Sequence, residues 1–403
     1  MRGLSMSLPL QGVKVLEIGD FLPTAFCCMQ LGDFGAEVIR IQAPAKANKG
    51  RRAEQGAKVP AETRSPFQTE PVFDSTGRNR KSISLNLKDL GGQKIAKELA
   101  AQCDVVVEGF RPGVMKRLGM DYESLSRYHP QLVYCSVTLF GQNGPYRDWP
   151  GHDPMGLGVA GLFHLNSNPD DNIPKLLGTP IGDVTAGLHA SIGILLALRS
   201  KDATGAGQYI DISMTDSSLD FSILSSVQAL QKTTVPRLNR PNPISGIWET
   251  SDGKYICTTN IEPHHWANFC KSIGHESFIE LRYDRSKREE LFKMVREKIL
   301  TRTQQEWLSI FHGEHESQAA PVNTIHEVFS DPQVLARNMV INCSDENGKS
   351  GQQLGFSIKL EKTPAQLHTI APLPGADTNQ ILKNLGYKDP AIEELMKSAA
   401  ING

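Results

Sequence analysis

The sequence predicts an α/β protein: a Rossmann-like parallel sheet in a large domain, and a second, smaller α+β domain. Three observations predict it. Through the first third of the chain, short runs of Val, Ile and Leu alternate with helical patterns, as in a parallel sheet covered by helices on both faces. Pro236, Pro241 and Pro243 then interrupt the helical pattern and mark a boundary. Finally, 403 residues at 39% hydrophobic content suffice for two buried cores. The large domain is expected over residues 1–230 and the small domain over 237–331. A C-terminal part, 340–403, is expected to return to the large domain.

The elements follow in order. Residues 13–18, V-K-V-L-E-I, read as the first strand, and 23–34 as a helix. Gly35 ends that helix because it tolerates the left-handed conformation. Residues 37–41 and 82–87 are further β-rich runs, 88–103 an amphipathic helix, and 104–107 and 132–140 short buried strands. The first turn, G-D-F-L-P at 19–23, lacks the G-x-G-x-x-G spacing, so a dinucleotide held in the usual way is not expected. Residues 43–69, rich in Lys, Arg, Ala and Pro, read as a long loop. An apolar, small-residue run at 184–198 predicts a helix. Beyond the prolines, 253–259 predicts a strand, 263–273 a helix, and 282–311 charged helical structure. Short strands follow from 340, and a final helical segment covers 377–385.

Composition narrows the function classes. A formal net charge of −1 gives no electrostatic reason for a nucleic-acid or membrane partner. The longest apolar stretch, 192–198, is too short to span a bilayer, and residues 1–11 hold no apolar core with a cleavage site. The closing A-I-N-G is not a peroxisomal address. Seven scattered cysteines fit reduced thiols, and adjacent Cys27 and Cys28 fit a packed helix. A cytoplasmic protein is expected.

The chemistry is concentrated between 151 and 183. A G-H-D triplet (Gly151, His152, Asp153) is followed by P-I-G-D, ending at Asp183, directly before the apolar helix. An acid there sits where backbone N–H groups are unpaired and favour an anion. A histidine on a glycine-flanked loop can face it, and together they suggest a proton-handling site or an attacking carboxylate beside an oxyanion pocket. The bland alternatives are a helix N-cap for Asp183, shared with Thr185, and a backbone-bonded loop histidine for His152. Residue types alone leave both open. No metal is predicted: His264 and His265 are adjacent and diverge on a helix, and H-G-E-H at 312–315 matches no zinc spacing.

Several segments, taken in order, resemble the class III CoA-transferases, the family of formyl-CoA transferase and α-methylacyl-CoA racemase. They include G-A-E-V-I-R at 35–40, N-R-K-S-I-S-L-N-L-K at 79–88 and F-R-P-G at 110–113. P-Q-L-V-Y-C-S-V at 130–137, F-G-Q-N-G-P at 140–145, T-G-A-G-Q-Y-I-D-I-S-M at 204–214 and P-L-P-G-A-D-T at 372–378 extend the match. The resemblance implies an acyl-CoA substrate, with coenzyme A as part of that substrate and no separate cofactor. It also implies an interlocked homodimer, with acyl-CoA at the junction of a large and a small domain.

The resemblance implies two chemistries on one scaffold. As a 2-methylacyl-CoA racemase, the reading preferred here, Asp183 and His152 would be paired bases on opposite faces of an enolate. Glu262, in N-I-E-P at 260–263, would orient His152; it reads equally as the residue before a helix opened by Pro263. As an acyl-CoA:carboxylate CoA-transferase, Asp183 would attack the thioester and form a mixed anhydride. The G-H-D triplet and Glu262 favour epimerisation, while T-P-I-G-D-V-T-A-G around Asp183 looks more like the transferases. For the CoA phosphates the matching segments offer Arg40, Arg78, Arg80, Lys81, Arg111 and Lys116. Residues 166–177 and 235–248 are expected to line the acyl pocket.

Overall fold

The computed structural model describes residues 8–44, 70–167, 172–235, 242–313 and 315–401. The chain divides into two units: Met1–Ser167, Ile173–Val235 and Asn338–Gly403 form the first, Asn168–Asn172 and Pro236–Arg337 the second. From residue 45 onward the expected long loop lies outside the described residues, as do Pro236, Pro241 and part of the expected acyl loop.

In the first unit, β1 (Lys14–Ile18), α1 (Leu22–Asp33) and β2 (Glu37–Gln42) open the alternation, followed by β3 (Arg80–Ser84) and α2 (Leu90–Ala100). β4 (Val105–Glu108), the short α3 (Val114–Leu118) and α4 (Tyr122–Ser126), and β5 (Val133–Thr138) come next. α5 (Asp153–Val159) and α6 (Leu162–Leu165) lead into α7 (Ile181–Thr204), which returns the chain to β6 (Tyr209–Ser213), α8 (Met214–Leu219) and α9 (Ile223–Leu230). The six strands are parallel, in the order β3-β2-β1-β4-β5-β6. Alternating side chains feed two cores, as a sheet covered on both faces requires. Leu16, Ile18, Val106 and Tyr134 pack with Ile95 and Leu99 of α2. Val15, Val105, Val107 and Cys135 pack with Cys27, Cys28 and Leu31 of α1 and with Ala186, Ala190 and Ile194 of α7.

The sheet differs from expectation at its two edges. β3 starts at Arg80 because Arg80 is folded inward and ion-paired with Glu17 of β1. β6 was not predicted; its Y-I-D-I-S pattern, half exposed, is that of an edge strand. α7 has 24 residues, about 36 Å at the ordinary rise, and is long and apolar enough by composition to cross a bilayer. Its buried stripe packs on the sheet and on α1. Gly187 permits that approach: a Cβ there would stand 2.7 Å from the Pro23 carbonyl oxygen.

The second unit holds an antiparallel sheet of β7 (Ser245–Glu249), β8 (Tyr255–Thr259) and β9 (Ala319–Val322). Helices α10 (Pro263–Ser272), α11 (Arg288–Ile299) and α12 (Gln304–Phe311) enclose a core of Trp248, Trp266, Phe269, Trp307 and Phe311. Short α13 (Ile325–Val328) and α14 (Pro332–Ala336) complete it. The chain then adds to the first unit a hairpin, β10 (Val340–Ser344) with β11 (Ser350–Leu354), and helices α15 (Thr378–Asn384) and α16 (Asp389–Lys397). Here the Asp377 carboxylate accepts from Ser82 N–H at 2.8 Å and Thr378 Oγ1 from Ser84 N–H at 3.1 Å, which seals the free edge of β3.

Candidate active site

The strand order reverses between β1 and β4, and open α/β sheets bind ligands in the crevice past the carboxyl ends of the strands at such a reversal. The turns after the two strands interlock there. Phe110 lies 3.5 Å from where a Gly19 Cβ would stand, and Phe21 leaves only 2.6 Å for one at Gly109. α7 runs antiparallel to the strands, so its first turn, with Asp183, lies at this same edge of the sheet.

Asp183 is the third residue of α7, inside the first turn rather than at the cap, which is Pro180. Its carboxyl is pushed up to about 7, first by burial and second by the charge of Asp153. Among the described residues no donor reaches the carboxylate. The expected oxyanion pocket of free helix N–H groups is not found, because each first-turn donor is taken. Ile181 N–H bonds to Thr179 and Val184 N–H to Pro180, at 2.9 and 3.1 Å. Asp183 N–H donates to Asp153 Oδ1 at 2.9 Å, and Gly182 N–H donates to the same carboxylate.

The G-H-D triplet therefore splits. Asp153, only 8% exposed, turns inward beneath the start of α7. His152 is exposed and caps α5, its N–H 3.2 Å from Met155 Sδ. Glu262 belongs to the second unit, where it precedes α10 with Pro263 in the first helical position and accepts from Gln318 Nε2 at 3.1 Å.

The six candidate CoA-binding cations separate into four groups. Arg78 and Arg80 are buried and occupied. Arg78 forks onto Asp33 at 2.8 and 2.7 Å, donates to the Leu354 carbonyl and stacks on Phe356. Arg80 pairs with Glu17 and bonds the Ala25 and Thr76 carbonyls. Their place in the sequence motif is explained by the fold, since both guanidiniums tie elements together. Lys81 runs toward the amino ends of the strands, 2.7 Å from Glu37, away from the crevice. Arg40 is on the face shared with α7, bridging Asp20 at 2.5 Å and Glu17 at 3.6 Å.

Arg111 and Lys116 are exposed and line a cavity of about 300 Å³ with Glu108, Tyr122, Tyr134 and Tyr209. It lies on the opposite face of the sheet from α7. Sequence reasoning missed its third cation, Arg147, which sits in the loop after β5; a basic residue beyond a strand's carboxyl end was the available signal. It also missed Glu108, whose carboxyl is pushed up to about 7 by burial, against hydrogen bonds from Ser136 and Phe110 N–H and with the Asp211 charge adding to the rise. Three cations beside stacked aromatic rings suit a phosphate-bearing ligand with a planar base.

The sequence profile described as CoA-transferase family III matches residues 10–378. The chain belongs to this family. It is 32% identical to succinyl-CoA:glutarate CoA-transferase of Homo sapiens, over 98% of this chain and 90% of that protein. It is 29% identical to the β subunit of succinyl-CoA–L-malate CoA-transferase from Chloroflexus aurantiacus, over the full length of both. The crystal structure of a CAIB/BAIF family protein from Brucella suis superimposes with a TM-score of 0.79 at 26% identity, covering 94% of this chain and all of that one. The fold and the family are those expected, and family membership makes the chain an enzyme.

Proposed function

We propose that this family III chain is an acyl-CoA:carboxylate CoA-transferase with Asp183 as its nucleophile, moving CoA between short dicarboxylic or hydroxy acids. This replaces the racemase as the preferred reading. The observation that carries it is Asp183 itself: a largely desolvated carboxylate with no donor to weaken it among the described residues, at the carboxyl edge of the sheet. The names of the relatives, CoA-transferases for glutarate and malate, point the same way. His152, exposed at the start of α5, has no role in this reading. Arg40 on one face and Arg111, Lys116 and Arg147 on the other suit an elongated substrate passing over the sheet edge, its phosphates at the cations and its thioester toward Asp183.

In the reaction, an Asp183 carboxylate oxygen attacks the thioester carbonyl, the C–S bond breaks, and CoA leaves as the thiolate. The resulting anhydride is opened by the thiolate at the Asp183 carbonyl, which frees the donor acid. The acceptor carboxylate then displaces the thiolate from Asp183, and a second attack by CoA on the acceptor's acyl carbon restores the enzyme. Incubation with succinyl-CoA and hydroxylamine should leave a hydroxamate on Asp183, detected in its peptide by mass spectrometry. Exchange of an α-proton of a 2-methylacyl-CoA in heavy water, with no hydroxamate, would return the assignment to the racemase. The exposed apolar residues of α7 and α9, among them Leu196, Leu224 and Leu230, support the interlocked homodimer as part of the same proposal.

A further inference from the structure

We propose that Asp153 is the positioning residue of the nucleophile: it holds the first turn of α7 by its backbone and leaves the Asp183 carboxylate without donors and beside a like charge. The inference rests on the reading of Asp183 as nucleophile, and it concerns what makes that carboxylate reactive. Ordinarily an acid in the first turn of a helix is calmed by the free N–H groups and the positive end of the dipole. In this chain those donors are already taken, by the Thr179 and Pro180 carbonyls and by another carboxylate. Asp153 Oδ1 receives Asp183 N–H at 2.9 Å, and Gly182 N–H reaches the same group.

The arrangement is built in on both sides. Asp153 comes from α5, thirty residues earlier in the chain, and is buried beneath α7. Gly182 makes room for it: a Cβ at that position would stand 2.9 Å from Asp153 Oδ1 and 3.2 Å from Ser218 Oγ. The two carboxyls are also unequal. Burial raises both, but Asp153 has two backbone donors favouring its ionised form, whereas Asp183 has none among the described residues. The last proton of the pair therefore belongs to Asp183.

Other ionisable groups do not account for this. α1 presents Cys27 and Cys28 to α7, with Asp33 at its far end held by Arg78. Cys135 and Tyr134 lie on β5, Asp211 and Tyr209 on β6 and Asp216 on α8, while His189 on α7 pairs with Asp220 at 3.1 Å. Among the described residues, Asp153 is the one whose charge shifts the Asp183 carboxyl.

The test uses the full-length protein without substrate. A diazo reagent esterifies protonated carboxyls, so the pH at which Asp183 labelling falls by half, read by peptide mass spectrometry, reports its titration. Asp153→Asn keeps an acceptor oxygen for the two N–H groups and removes the charge. Its midpoint should move to lower pH by roughly one unit, about tenfold in the ionised-to-neutral ratio at fixed pH. Asp153→Ser, neutral but still a helix-capping acceptor, should move it the same way and serves if the asparagine variant does not fold. An unchanged midpoint in a folded variant would overturn the proposal and leave Asp153 a merely structural cap. Failure of the transferase reading would show elsewhere, as absence of the Asp183 hydroxamate in the wild type, and would not alter the midpoint result.

Discussion

Asp183 and Gly182 concentrate the account at the scale of single residues. The unfolded chain releases the Asp183 proton near its ordinary 3.8, whereas the folded chain holds it to about 7. The folded state therefore binds more protons between those values, and this group's contribution to stability falls as pH rises through that window. Asp183→Asn should raise the melting temperature at pH 8, leave it nearly unchanged below pH 4, and lower turnover by roughly 10³-fold or more. In the wild type, kcat should climb from pH 6 to 8 as the carboxylate forms. Gly182→Ala should push Asp153 aside and cost about 1–3 kcal/mol in urea unfolding, with kcat falling together with stability. Of this site, the sequence made Asp183 and the G-H-D triplet legible as types and spacings. What it hid was direction: nothing in G-H-D tells that Asp153 turns inward and His152 outward, because a contact across the chain decides it.

At the scale of elements, the same limit explains which cations were misplaced. The N-R-K segment reads as a basic loop, yet two of its neighbouring arginines are interior ties. Arg78 joins α1, through Asp33, to the end of β11, through the Leu354 carbonyl. Arg78→Met should leave Asp33 buried and unpaired, at a cost of about 3–5 kcal/mol measured by denaturant titration. Arg111→Ala removes an exposed charge from the cavity rim and should be nearly neutral for stability. It should instead raise KM for the acyl-CoA roughly tenfold with kcat little changed. A reversed pattern for the two variants would contradict the division drawn here. The inner strands were legible because burial on both faces favours apolar runs, as in Val105, Val106 and Val107. The start of β3 and the whole of β6 were not, since one hides ion-paired arginine and the other lies at an edge.

For the whole molecule, the proposal is one substrate laid across the carboxyl edge of a six-stranded sheet, with phosphate ligands on one face and the nucleophile on the other. The same scale carries the proposed interlocked dimer. Light scattering should find a dimer that persists on dilution to nanomolar concentration, and a folded, active monomer would exclude the arrangement. The central claim is that Asp183 bonds covalently to the acids that exchange CoA. Turnover with an acceptor labelled in both carboxylate oxygens by heavy oxygen tests it most directly, because the bridging oxygen of the anhydride stays with the aspartate when CoA departs on the acceptor. Mass spectrometry of the Asp183 peptide should show one heavy oxygen incorporated after a single turnover. Labelled product with an unlabelled Asp183 would contradict the account.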